Sequence, residues 1–241
     1  MRDSNLSLPQ SLKIESKPSV FCPGCGHSIT LKILGQLIDE LEIASKTVFL
    51  IDIGCSLLAW NYLDVDTSQT HHGRTTPVAI GFKMARPDSV VVAYMGDGGG
   101  YAIGLQHTIS VALRNTPITA ILINNANYAM TGGQLAPTTM LGEKTTTSPL
   151  GREEAIQGKT LHGPETLKGV ASDGAYIARG SVSKPLILKS YLKKALENQI
   201  HHQQFSFVEV LSLCPTNWKT DAKESLARLA KMEEEFPCKE F

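Results

Sequence analysis

Apolar residues along this 241-residue chain fall into two kinds of run. Some are short and continuous: Thr47–Ile53, Ser89–Met95 (S-V-V-V-A-Y-M), Ile118–Ile123 and Phe205–Leu213. Runs of that kind suit strands buried on both faces of a parallel sheet. Others recur at helical spacing. His27–Ile43 carries Ile29, Ile33, Leu37 and Leu41, and Lys184–His202 carries Leu186, Leu188, Leu192 and Leu196, so both predict helices with one apolar face. Pro77–Arg86 predicts a shorter helix, with Thr76 as its N-cap and Pro77 in the first turn. Asp221–Phe236 is charged and amphipathic, as a surface helix would be, and Ala171–Arg179 reads as a short strand or a turn. Strands alternating with helices place the chain in the α/β class with a parallel sheet.

The chemistry gathers between Met95 and Asn127. After the run Ser89–Met95 comes Gly96-Asp97-Gly98-Gly99-Gly100, then a helical stretch to Arg114-Asn115, then Ile118–Ile123 and Asn124-Asn125. A glycine turn at a helix N-terminus is a ready phosphate site, because unpaired N–H groups and the helix dipole face the anion. A helical crossover makes the two strands parallel and puts Asp97 and Asn125 at their C-terminal ends, where open α/β sheets bind ligands. A carboxylate, an amide oxygen and a backbone carbonyl suit Mg²⁺ that is also held by a diphosphate. Glycines alone fit equally well a tight turn with no ligand.

Composition narrows the class. Lys and Arg balance Asp and Glu, giving zero net charge, and no basic cluster stands out, so nothing points to nucleic acid or an anionic membrane. No apolar run reaches the length of a membrane span, and M-R-D-S-N-L-S-L-P-Q lacks the apolar core of a signal peptide. Five cysteines, several of them inside motifs, predict a reducing cytoplasm and metal chemistry rather than a disulfide framework. Residues 1–20, with Pro9 and Pro18, read as an extended arm lying on another surface. His201-His202 reads as a solvated helix end.

Cys22-Pro23-Gly24-Cys25 aims two thiols at one point, which a zinc ribbon, a redox pair or an iron–sulfur cluster would each use. Ser11–Val20 does not look like the strand that a redox pair follows, and zinc would want a second C-x-x-C or paired histidines. Cys55 and Cys214 both leave strand ends, and four thiolates would suit a [4Fe–4S] cluster. Spacing leaves cluster and zinc both open; Cys238 reads as packing. His72 and Arg74 stand before the helix at Pro77, placed either for a diphosphate or in a solvated loop. Thr138–Arg152 is long and rich in Thr, Gly and Pro, the kind of segment that covers a cofactor or meets a partner.

With these pieces in place the chain resembles the thiamine-diphosphate-binding β subunit of the 2-oxoacid:ferredoxin oxidoreductases. The matching motifs are C-P-G-C-G-H at 22–27, I-G-C-S at 53–56, H-G-R at 72–74, G-D-G at 96–98, N-N-A-N-Y-A-M-T-G-G-Q at 124–134, A-Y-I-A-R-G-S at 175–181 and L-C-P at 213–215. The resemblance implies one thiamine-diphosphate-binding domain over residues 1–241, a parallel central sheet with helices on both faces. Within it, residues 1–27 form an arm with the cluster-binding C-x-x-C, 28–135 the cofactor-binding core, and 136–241 a partner or cofactor loop and C-terminal extension. It implies that Cys22, Cys25, Cys55 and Cys214 hold one [4Fe–4S] cluster, and that Asp97, Asn125 and the Asn127 carbonyl hold Mg²⁺. Ile53, Gly54, Cys55, Ser56, His72, Gly96, Gly98, Gly99, Ala129, Met130 and Lys219 would surround the thiamine diphosphate.

The implied reaction is oxidative decarboxylation of a 2-oxoacid to acyl-CoA and CO₂, with coenzyme A as acyl acceptor and electrons passing to ferredoxin, as in anaerobic metabolism. The glutamate that activates thiamine is expected on an α subunit, with γ and ferredoxin-like δ subunits as further partners. Three departures stand out: Gly99 where many relatives carry an acid, Thr131-Gly132-Gly133-Gln134 where many carry T-K-G-Q, and no lysine in Ser56–Tyr62 to pair a second substrate carboxylate. The last leans towards a branched-chain acid such as 2-oxoisovalerate, ahead of 2-oxoglutarate and pyruvate. A non-oxidative thiamine decarboxylase subunit and a zinc-stabilised non-catalytic subunit are the alternatives from other classes.

Overall fold

The structure, a computed structural model, describes residues 8–13 and 19–241. Most of the arm expected over residues 1–20 lies outside them; its described part folds onto the chain itself, where the Gln10 and Ser11 amides donate to the Asp39 carboxylate at 2.6 and 3.0 Å. The helices are α1 (Gly26–Glu40), α2 (Thr75–Ala85), α3 (Leu105–Arg114), α4 (Glu154–Gln157), α5 (Gly163–Lys168), α6 (Pro185–His202), α7 (Pro215–Trp218) and α8 (Ala222–Glu235). The strands are β1 (Thr47–Ile51), β2 (Asp66–Gln69), β3 (Val90–Gly96), β4 (Thr119–Asn124), β5 (Asn127–Tyr128), β6 (Gln134–Leu135), β7 (Tyr176–Ser181), β8 (Ser206–Leu211) and β9 (Lys239–Glu240).

A seven-stranded sheet runs in the order β2-β1-β3-β4-β8-β7-β9, all neighbours parallel except the antiparallel edge pair β7 and β9. Strand residues alternate between the two faces, as the pleat requires. Phe49, Ile51, Val92, Tyr94, Ile121, Ile123, Val208 and Val210 pack with α1, α6 and α8. Their sequence neighbours Val48, Leu50, Val91, Ala93, Met95, Ala120, Leu122 and Phe207 pack with α2, α3 and α5. Helices therefore cover both faces, which is why the central strands are apolar without interruption. Each fully buried leucine in these layers, such as Leu37, contributes about 1.5–3 kcal/mol by leaving water.

The predicted elements form with small shifts, each with a local cause. Helix α2 starts at Thr75 with Arg74 at its N-cap, correcting Thr76: the Arg74 amide already donates to the His71 carbonyl at 2.9 Å, opening the turn earlier. The helix after Asp97 begins as a wide π-type turn, Gly98–Ile103, before α3, which ends at Asn115 in the left-handed region (φ 49°). Residues 171–179 resolve into a turn followed by strand β7. Helix α8 carries a full capping box between Asp221 and Glu224. Among the described residues no helix is long and apolar enough to cross a membrane.

Strand order decides where a ligand can sit. From β1 the chain leaves towards β2 on one side, whereas β3 lies on the other, so the loops after β1 and β3 diverge. That divergence opens a crevice at the carboxyl ends of the strands.

Candidate cofactor site

A cavity of about 170 Å³ occupies this crevice. Its walls come from the segment after β1 (Ile53, Gly54, Cys55, Ser56), the turn after β3 (Gly96–Gly99) and the segment after β4 (Asn125, Asn127, Tyr128, Ala129, Met130), with His27 and His72 at the sides. Motifs that lie far apart in the chain thus face one space.

Asp97 directly follows β3 and is buried. Its Oδ1 accepts the Gly98 amide at 2.8 Å and its Oδ2 accepts the Thr138 hydroxyl at 2.8 Å. Burial pushes its pKa up to about 7, with Glu209 adding repulsion and the two donors opposing the rise. A buried carboxylate surrounded by neutral donors lacks a counter-charge of its own. Beyond β4, Asn125 Oδ1 accepts the Asn127 amide at 3.2 Å, while Ala126 between them takes φ 59°. That tight turn brings Asn127 back to the cavity, where its Oδ1 is buried without a hydrogen-bond partner. An orphaned amide oxygen beside a buried carboxylate suits a hard cation.

The glycines have separate reasons. A Cβ on Gly98 would enter the Tyr128 ring, whose hydroxyl donates to the Gly98 carbonyl at 3.1 Å. A Cβ on Gly99 would run into the Asp52 carboxylate. At Gly54 and Gly96 a Cβ would meet nothing within 4 Å, so their bare Cα atoms lie against open space where a ligand can approach.

His72 lines the cavity, and its Nδ1 lies 3.2 Å from Asp52 Oδ2 and 3.1 Å from the Ile53 carbonyl. Arg74 does not line it. Its Nη1 instead donates to the Gly73 and Ile103 carbonyls, both at 3.2 Å, pinning the His-Gly-Arg turn to the π-type turn. Lys219 is exposed at the end of α7 (φ 56°), outside the cavity lining.

Four cysteines approach one another beside the cavity. The Cys25 amide closes a turn on the Cys22 carbonyl at 3.0 Å, and the Gly26 amide donates to the Leu213 carbonyl at 3.2 Å, which fastens C-x-x-C to the segment entering Cys214. Cys55 lines the cavity itself. Burial first, then the neighbouring thiols, pushes Cys25 up to about 11 and Cys214 up to about 12. Among the described residues no three of Cys, His, Asp and Glu are set tightly enough for one metal ion. Cys238 packs away from this set, near Lys184 and Glu233.

Residues not anticipated from sequence complete the surroundings. His27, buried at the cavity wall, stacks on Phe21 at 5.0 Å and meets the Tyr94 hydroxyl through Nδ1 at 2.7 Å; burial lowers its pKa to about 3, so it is neutral. Thr138 and Thr139 bring the 136–160 loop onto the site, bonding Asp97 and the Ala126 carbonyl. Arg152 holds that loop in shape by donating to the carbonyls of Ala136, Pro137, Thr139, Gln157, Gly158 and Lys159. The motifs around Asp97 and Asn125 signal their own residues, His27 ends the C-P-G-C-G-H motif, and Thr138–Arg152 lies on the site as such a segment suggests; only the individual bonds within it carried no signal.

Comparison with known proteins agrees with this geometry. Residues 52–210 match the family described as thiamine pyrophosphate enzyme, C-terminal TPP binding domain. The chain is 42% identical over 226 residues to ketoisovalerate oxidoreductase subunit VorA of Methanothermobacter thermautotrophicus, covering 92% of this chain and 47% of that one. It is 38% identical over 219 residues to 2-oxoglutarate synthase subunit KorB of Archaeoglobus fulgidus, covering 90% and 78%. With 2-oxoacid:ferredoxin oxidoreductase subunit beta of Saccharolobus solfataricus it shares 35% over 219 residues, covering 89% and 68%. A solved 2-oxoglutarate:ferredoxin oxidoreductase from Magnetococcus marinus, with 2-oxoglutarate, coenzyme A and succinyl-CoA bound, superposes with a TM-score of 0.78 at 30% identity, covering 88% of this chain and 69% of that one. The chain spans about half the length of the VorA relatives it matches. Fold, cavity edge and sequence agree, and the chain belongs to the thiamine pyrophosphate-binding β-subunit family of the 2-oxoacid:ferredoxin oxidoreductases.

Proposed function

We propose that the chain holds thiamine diphosphate through Mg²⁺, carries a [4Fe–4S] cluster, and serves as the β subunit in coenzyme A-dependent oxidative decarboxylation of a 2-oxoacid, with electrons passing to ferredoxin. The observation that carries this reading is convergence: Asp97, Asn125, Asn127 and Cys55 all line one cavity at the switch point of the sheet. When bound, the thiamine group would supply the electron sink for loss of CO₂ and the cluster a one-electron exit.

The chain's own residues would position these groups. Asp97, Asn125 and Asn127 would hold the cation, Gly54 and Gly96 would let the diphosphate lie against bare backbone, and Ile53, Ala129 and Met130 would form an apolar wall beside the reacting end. Cys22, Cys25, Cys55 and Cys214 would hold the cluster next to that cavity. Their free thiols in the structure fit a cytoplasmic location. The activating glutamate and much of the coenzyme A site would come from an α subunit, with γ and δ subunits as further partners.

For substrate we favour 2-oxoisovalerate. The turn Cys55–Asn61 offers Leu57, Leu58 and Trp60 and no lysine, and the VorA relatives act, by name, on ketoisovalerate. The KorB relatives support 2-oxoglutarate as the second reading. The test is viologen reduction with coenzyme A by the chain purified anaerobically with its partner subunits. The expected result is fastest turnover of 2-oxoisovalerate; preference for 2-oxoglutarate would assign specificity to the partner subunit. Absence of iron and acid-labile sulfide would overturn the cluster and leave a non-oxidative decarboxylase, and stoichiometric zinc would favour the non-catalytic alternative.

A further inference from the structure

Asp52 belongs to no motif and does not line the cavity, yet it is completely buried one residue beyond β1. Its backbone amide continues the sheet by donating to the Tyr94 carbonyl at 3.0 Å, which fixes where the side chain starts. The carboxylate then reaches across the crevice. Oδ1 accepts the Gly73 amide at 2.7 Å, and Oδ2 faces His72 Nδ1 at 3.2 Å. Gly73 takes φ 69°, a left-handed conformation that turns its amide towards the carboxylate. Gly99 leaves the room: any side chain there would occupy the space of the Asp52 carboxylate.

We propose that Asp52 is a positioning residue that fixes His72 as the Nδ1–H tautomer and so presents Nε2 to the cavity. The hydrogen-bond roles decide the tautomer. The Ile53 carbonyl, 3.1 Å from Nδ1, can only accept, and an ionised carboxylate can only accept, so the hydrogen resides on Nδ1 and is shared between them. Nε2 is then the ring nitrogen left for a bound group, with the ring plane set by two acceptors and by the edge contact to Tyr128 at 6.1 Å. A carboxylate behind a histidine that meets a ligand with its other nitrogen acts in this way at metal centres, where its loss costs about 10–100-fold in affinity. Nε2 then carries the lone pair and accepts, so the bound group must bring a hydrogen there, as a protonated phosphate oxygen or a cation-bound water at the diphosphate end of the cofactor would; that role rests on the function proposed above, and the tautomer does not.

The experiment uses the full chain labelled with ¹⁵N-histidine, with the His72 signals identified by their loss in His72→Gln. The expected spectrum of the neutral ring, before any cofactor is added, has a protonated Nδ1 and an unprotonated Nε2. Asp52→Ala should give a tautomer mixture, and the isosteric Asp52→Asn serves if the alanine variant folds poorly. Calorimetric titration with thiamine diphosphate and Mg²⁺ should show a loss of about tenfold for Asp52→Ala, with the double variant Asp52→Ala/His72→Gln no weaker than His72→Gln alone. An Nε2–H ring in the wild type, or losses that add in the double variant, would overturn the inference. An Nδ1–H ring in a wild-type chain that does not take up thiamine diphosphate would leave the positioning role intact and remove the cofactor reading.

Discussion

Arg179 and Asp97 are both buried ionisable groups, yet only one has opposite charges against it. Arg179, with no exposed side-chain surface, donates to Glu209 at 2.5 Å and forms a two-point bond to Glu165 at 2.9 and 2.6 Å. Phe236 and Phe241 cover its guanidinium at 5.5 and 5.4 Å, and Glu209 is tied onward to Asn124 at 2.9 Å. Asp97 meets only neutral donors, the Gly98 and Ala126 amides and the Thr138 hydroxyl, and the Glu209 charge repels it. The first arrangement is closed and holds β7, β8 and β4 in place. The second has no counter-charge of its own, which is why the function proposed above gives it a cation. Burial alone therefore does not mark a functional charge; the nature of its partners does.

The largest expected effect would break the closed side. Arg179→Leu leaves Glu209 buried without its cation, and chemical denaturation should show a loss of about 3–5 kcal/mol. A loss below about 1 kcal/mol would mean that water reaches Glu209 and compensates for it. Next comes the open side. Asp97→Asn should abolish Mg²⁺-dependent thiamine diphosphate binding while costing the cofactor-free protein less than about 1 kcal/mol, since a buried charge without a counter-ion is removed. A cofactor-free variant as unstable as Arg179→Leu would erase the contrast. The smallest effect is a pH dependence. Burial alone would raise the Glu165 pKa, but its bonds to Arg179 hold it below the ordinary 4.5. The folded value is the lower one, so this stabilisation is present above about pH 4.5 and is lost as pH falls through the folded value. Urea titrations across that range should show it, and Glu165→Gln should flatten the slope.

The same contrast explains what could be read from the sequence. Runs such as V-V-V-A-Y-M announce β3 because continuous apolarity has few other uses, and G-D-G with N-N announces two walls of the cavity because both follow such strands. Edge strand β2, D-T-S-Q, is polar and held by backbone pairing with β1, so it left no pattern. The N-cap of α2 was misplaced because a turn from His71, not a side chain, starts the helix. Arg74, which the sequence leaves open between a diphosphate and a solvated loop, bonds carbonyls instead, since nothing in H-G-R reports that Ile103 lies within reach. Asp52 and the individual role of Thr138 escaped for one reason: they are hydrogen bonds to residues remote in sequence, which only the folded sheet brings near. Gln199 is the same case within the core, its amide bonded to both the amide and carbonyl of Val91.

The link between Gly26 and Leu213 has a consequence in time. Strand β8 lies between β4 and β7, and Cys214 follows it directly, so the thiol set closes only once residues 206–214 have been made and β8 has inserted. Until then Cys22, Cys25 and Cys55 wait near an open sheet edge during synthesis, when long-range parallel pairing is slow. Acquisition of an inorganic group by these thiols would thus follow folding rather than guide it, and a chain halted before residue 214 would present three reactive thiols without the fourth.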